Sequence, residues 1–251
     1  MRSKLLLVLL AIVTCAAAAG AWSKYARPSN SAHNHQAADA SADTAQGAPG
    51  EMDMGPHMRM TAARALRPGD EERAGEIAAR ARRAVEKYRD YRAALRDGYE
   101  ILAPEVPQSM YHFNNAAYFA EAERRFNVEH PTSLLYEKGG GGYRLIGVMY
   151  TAPASLSEDE LDGRIPLSVA AWHQHVNVCL EQGDPLETMF SGAPRFGLEG
   201  SISAGSECRE AGGEFYPRLF GWMVHLYPYE RTPRAMWSVE RQAEGGAHHE
   251  H

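Results

Sequence analysis

The segment Trp172-His173-Gln174-His175-Val176-Asn177-Val178-Cys179-Leu180 alternates in character with a period of two. As a β-strand it sends His173, His175, Asn177 and Cys179 to one face and Trp172, Val176, Val178 and Leu180 to the other. Imidazoles two strand residues apart have Cα atoms roughly 6.7 Å apart, a separation that converges on one metal ion. Residues 221–227 repeat the logic, with Met223, His225 and Tyr227 opposed to Trp222, Val224 and Leu226. If the two strands are neighbours, His225 joins His173 and His175 in a three-imidazole site. His112, in Met110-Tyr111-His112-Phe113-Asn114, is a fourth candidate. Glu137, at the end of an apolar strand, is a candidate carboxylate ligand, orienting group or base. Three histidines with an open position suit zinc or copper, and a methionine joining them tilts the site towards copper. The plain alternative is a set of hydrogen-bonded histidines on core or solvated strand faces, since His-x-His recurs often by chance.

A second concentration of soft donors lies upstream. Met52, Met54, Met58 and Met60 are four of the ten methionines and flank His57, in a stretch with no hydrophobic pattern for them to pack into. Thioether sulfur is a soft ligand suited to Cu(I), and imidazole accepts either copper oxidation state. This segment is a candidate capture arm, or else a linker whose methionines serve as adaptable apolar filler. His33-Asn34-His35 and the terminal His248-His249-Glu250-His251 add further flexible chelators, with chance polar sequence as their alternative.

The elements that must position these groups follow from patterning. A helix is expected over residues 71–97, with Asp70 as N-cap, acidic Glu71 and Glu72 at its positive end and Gly98 to terminate it. Its apolar positions Ala74, Ile77, Ala81, Ala84, Tyr88, Tyr91 and Leu95 form one stripe, as in a scaffold helix packed on a sheet. Strands are expected over 134–137, 143–151, 170–180 and 221–227, with 139–142 as the turn of a hairpin and a brief helical turn at 157–161. Residues 181–213, rich in glycine, read as a long irregular excursion covering one end of the sheet. The expected fold class is α+β: an N-terminal scaffold helix packed on a mostly antiparallel sheet or partly closed barrel.

Residues 1–21 follow the plan of a secretory signal, with Arg2 and Lys4, an apolar run and the cleavage pattern Ala19-Gly20-Ala21. The organisation expected is a signal at 1–21, a disordered Met/His tether at 22–61, an α+β domain at 62–240 and a His-containing tail at 241–251. Membrane attachment is expected only if the leader is uncleaved or Cys15 is lipidated. After cleavage Cys179 and Cys208 remain, and an even pair in an oxidising compartment points to a disulfide. A thiolate ligand at Cys179 is the alternative, disfavoured by the roughly 13 Å that separate it along the strand from His175. The net charge of −6 and the lack of a basic tract beside aromatic residues speak against a nucleic-acid partner. No Ser-His-Asp order, P-loop or dinucleotide fingerprint is present.

Several segments together carry a resemblance: Asp97-Gly98-Tyr99 after the helix, Met110-Tyr111-His112-Phe113-Asn114, Pro131 to Glu137 with its Leu134-Leu135-Tyr136-Glu137, and Arg144-Leu145-Ile146-Gly147-Val148. Over residues 75–230 the chain resembles a group of exported, uncharacterised bacterial proteins. The resemblance implies a common domain with His112 and His225 in corresponding places, and implies no activity. The function expected from the residues is therefore an exported, periplasmic or envelope protein that binds a transition metal, copper before zinc. The competing expectations are a mononuclear metalloenzyme built on the same histidines, and a non-metal domain binding a small ligand or another envelope protein.

Overall fold

The computed structural model describes residues 55–183, 185–190 and 194–238. The expected leader, Cys15, the tether up to Met54 and the terminal histidines lie outside the described residues. In chain order the elements are β1 (Met58–Met60), α1 (Asp70–Val85), α2 (Tyr91–Arg96), β2 (Glu100–Ile101), β3 (Tyr111–Asn114) and α3 (Ala116–Ala122). There follow β4 (Ser133–Gly139), β5 (Gly142–Ala152), α4 (Glu158–Arg164), β6 (His173–Glu181), α5 (Pro185–Phe190), α6 (Gly205–Glu210), β7 (Gly213–Arg218), β8 (Trp222–Leu226) and α7 (Pro233–Met236). The eight strands form one sheet in the order β1-β6-β8-β5-β4-β3-β2, with β7 also paired to β6. All pairings are antiparallel. The fold is thus α+β, and the sheet stays open, ending at β1 and β2 instead of closing as a barrel.

One sheet face carries the main core. Phe113, Leu134, Tyr136, Val148, Tyr150, Trp172, Val224 and Leu226 are buried there against Ala74, Ile77, Ala78, Ala81 and Val85 of α1. Each such apolar side chain contributes about 1.5–3 kcal/mol by leaving water. Two buried tyrosine hydroxyls donate to backbone carbonyls, Tyr136 to Tyr88 at 2.7 Å and Tyr150 to Val128 at 2.7 Å, while Tyr88 donates to the Asp97 carboxylate.

The expected single helix over 71–97 is broken. After Val85 the chain tightens into a 3₁₀ turn, Glu86–Arg89, and Asp90 is extended and caps α2 through its side chain, which accepts from the Arg92 N–H. The apolar stripe continues through the break, which hides it. Asp70 is not the N-cap. Gly69, at φ 89°, takes that position, while Asp70 opens the first turn and accepts from the Arg67 N–H and the Ser168 hydroxyl. Gly98 does end the run, with φ 86° just beyond Asp97.

Two further differences concern the site. The ordered domain begins before residue 62: β1 pairs with β6, and Thr61 exchanges hydrogen bonds with Trp172 through its N–H (2.9 Å) and its hydroxyl (3.1 Å). Pairing with an edge strand orders a segment that has no pattern of its own. The excursion 181–213 is partly regular as well, holding α5 and α6 before β7.

Cys179 and Cys208 form the expected disulfide, closing a sequence separation of 29 residues. It lies in its own cluster with Ile202, Phe196 and Phe215. Asn177 has φ 55°, an interruption of the strand after which Val178 and Leu180 cluster with Phe220, a ring that also flanks His175. Strict alternation would have placed Cys179 with the histidines; instead it turns to Cys208. Replacing both cysteines with serine should lower the unfolding free energy measured in urea by about 3–4 kcal/mol. An unshifted unfolding curve would show that the bridge does not constrain the chain.

Candidate metal centre

The sheet face opposite the main core collects the histidines. β8 lies between β6 and β5, with Met223 opposite His173 and His225 opposite Met149. On the outer side of β6, Met60 is opposite His173 and Met58 opposite His175. On the far side of β5, Leu135 faces Gly147, and His112 faces Leu135. Gly147 leaves room there: a Cβ would stand 2.9 Å from the Tyr227 ring and 2.8 Å from the Leu226 carbonyl. Three strands and β3 therefore bring together side chains as far apart in sequence as His112 and His225.

The ring contacts form a chain. His112 lies 5.8 Å from His225, His225 lies 5.2 Å from His173, and His173 lies 5.5 Å from His175, centre to centre. Two imidazoles bound to one tetrahedral ion through bonds of about 2.0–2.1 Å have ring centres about 5 Å apart. The observed spacings sit just above that value. Among the described residues, no group of three or more His, Cys, Asp or Glu side chains is placed to hold a metal ion.

His173 and His225 are buried, while His112 and His175 keep part of their edges open. Burial is the main cause holding His112, His175 and His225 neutral. It pushes His112 down to about 4, a hydrogen bond with the Met110 backbone acting in the opposite direction. It pushes His175 down to about 3, with His173, His112 and His57 adding to the effect. His225 is driven well below its ordinary range, again by burial first and then by His173, His112 and His175. Neutral imidazole is the ligating form, so near pH 7 these groups have no proton to lose before binding. The Nδ1 atom of His225 is buried without a hydrogen-bond partner. Such an atom costs about 1–3 kcal/mol unless something satisfies it.

His57, expected in the tether, belongs to this neighbourhood. It is buried, its Nε2 lies 2.5 Å from the Gly200 carbonyl oxygen, and its own carbonyl accepts from the Val176 N–H at 3.0 Å. Met58 and Met60 follow on β1, and Met52 and Met54 lie outside the described residues. Glu137 is not brought in. It stands opposite Arg144 in the β4–β5 hairpin, and the two side chains form an ion pair, as cross-strand neighbours of opposite charge do. His130 lies apart, stacked on Tyr118 at 4.2 Å with Nδ1 2.5 Å from Glu121. Met223, placed on this face by alternation, is buried there with Leu135 and Tyr227; residues that alternation alone did not assign are Met149, buried in the same cluster, and Met110, whose sulfur is 3.9 Å from the Tyr227 hydroxyl. Their signal needs the register of β5 against β8.

Comparison with protein-family models, characterised proteins and solved structures finds no match to this chain. Among the described residues no helix is long and apolar enough to cross a membrane.

The depressed imidazole pKa values make stability depend on pH. Between about 6.5, the ordinary histidine value, and about 4, the unfolded chain binds protons that the folded chain refuses, so unfolding takes up protons. Stability is then full above about 6.5 and falls as pH drops, by up to about 1.4 kcal/mol per pH unit for each fully buried ring. The urea midpoint of metal-free protein should fall between pH 7 and pH 5. A midpoint that is flat over that interval would contradict a neutral buried cluster.

Proposed function

We propose that the protein binds a transition metal ion through His173, His175, His225 and His112, copper ahead of zinc. The observation that carries this reading is the chain of four imidazoles at 5.2–5.8 Å, drawn from three separate stretches of sequence onto one sheet face. The neutrality of His112, His175 and His225 and the unpartnered Nδ1 atom of His225 support it, because a metal ion satisfies a buried nitrogen lone pair. Copper is favoured by Met58 and Met60, which stand in register with His175 and His173. The capture arm is then continuous with the site through β1. The leader pattern and the Cys179–Cys208 disulfide support an exported protein working in an oxidising envelope compartment. A metalloenzyme is less well supported, since the carboxylate expected to serve as base is engaged by Arg144.

The test is metal analysis of untagged protein, both as the full chain and as a form starting at Gly55 so that β1 is kept. Both should hold about one tightly bound ion per chain, against a competing chelator. Changing His173 and His175 together to Ala should abolish that ion, and His225→Ala should weaken it by at least about tenfold. Unchanged stoichiometry and affinity in the double variant would overturn the reading.

A further inference from the structure

We propose that Met149 and Met223 are thioether ligands of this site and that they make Cu(I) the ion it holds; the proposal rests on the histidine reading above. Met223 is the cross-strand partner of His173 and lies two residues from His225 on the same strand face. Met149 is the cross-strand partner of His225. Directly opposed residues of an antiparallel pair have Cα atoms about 4.5–5.5 Å apart, so these sulfurs and imidazoles share one small volume. Both methionines are buried, at 5% and 6% exposure, and they pack with each other's cluster of Leu135 and Tyr227.

The charge of the surroundings decides between ions. The groups acting electrostatically on His175 and His225 are other histidines, with no carboxylate among them. Cys179 and Cys208 are joined to each other and supply no thiolate. Glu137 is held by Arg144. A cation entering this face thus meets neutral nitrogen and neutral sulfur. The cost of taking an ion out of water rises with the square of its charge, so a divalent ion without an anionic ligand is penalised about four times as heavily as a monovalent one. Thioether sulfur adds a chemical preference in the same direction, because it binds Cu(I) well and Zn(II) poorly. Imidazole alone would not discriminate in this way. The ordinary alternative is that Met149 and Met223 are apolar filler, which leucine replaces with little loss.

The experiment measures Cu(I) affinity anaerobically against bicinchoninate, and Zn(II) affinity against a chromophoric chelator, on the full chain. It compares wild type with the Met149→Leu/Met223→Leu double variant, each single Leu variant and His173→Ala/His225→Ala, with thermal melts as folding controls. The tightest Cu(I) site of the double variant should weaken by at least about tenfold while Zn(II) affinity and the metal-free melt are unchanged. If the double variant fails to fold, the singles carry the same test. Cu(I) affinity unaltered by Leu, or Cu(I) and Zn(II) falling together with the melt, would overturn the thioether assignment while leaving the histidines in place. A histidine variant that binds both metals like wild type would overturn the histidine reading and this proposal with it.

Discussion

The hydrogen-bonded insertion of β8 between β5 and β6 is the constraint on which the rest depends. Pairing fixes which Cα atoms stand in one row, and the pleat sends alternate residues to opposite faces. Once Met223 is opposite His173 and Met149 opposite His225, the other face is settled too: Trp222, Val224 and Leu226 must meet α1. A slip of one residue would drive imidazoles into that core and turn Trp222, Val224 and Leu226 outwards, at about 1.5–3 kcal/mol for each side chain exposed. The histidine positions are therefore held by residues that never touch them.

Both faces of the sheet bury polar atoms. On the helix-covered face the hydroxyls of Tyr99, Tyr136 and Tyr150 donate to backbone carbonyls, while the Trp172 Nε1 is buried without a partner. On the other face the Nδ1 atom of His225 lacks a partner, and burial keeps the His112 and His225 rings neutral. A fold carries such local cost only because the surplus from its apolar face is larger.

Alternation made β6 and β8 legible from sequence, and with them His173, His175 and His225, because a half-buried strand writes its period directly into residue type. His112 was legible as part of an aromatic run, though not as a named strand. What alternation could not supply was pairing. Sequence alone leaves Glu137 available, whereas pairing sets Arg144 opposite it, and only pairing sets Met149 opposite His225. β1 left no signal at all, since three residues take their order from the edge of β6. Pro217 concealed β7, and the continuous apolar stripe through Tyr88 and Tyr91 concealed the break after α1. Cys179 was assigned to the wrong face because the positive φ of Asn177 interrupts the period. These misses share one cause: each depends on a contact distant in sequence or on a single backbone torsion.

The open sheet with one face given to core and one to imidazole and thioether has an evolutionary consequence. Residues at odd positions of β6 and β8, up to Asn177, lie on the face opposite the main core, so exchanges there leave that core in place and are limited instead by the burial of His173, Met223 and His225. The same separation means that divergence among descendants of this domain would be concentrated on the histidine side, and that sequence drift there need not signal loss of the fold.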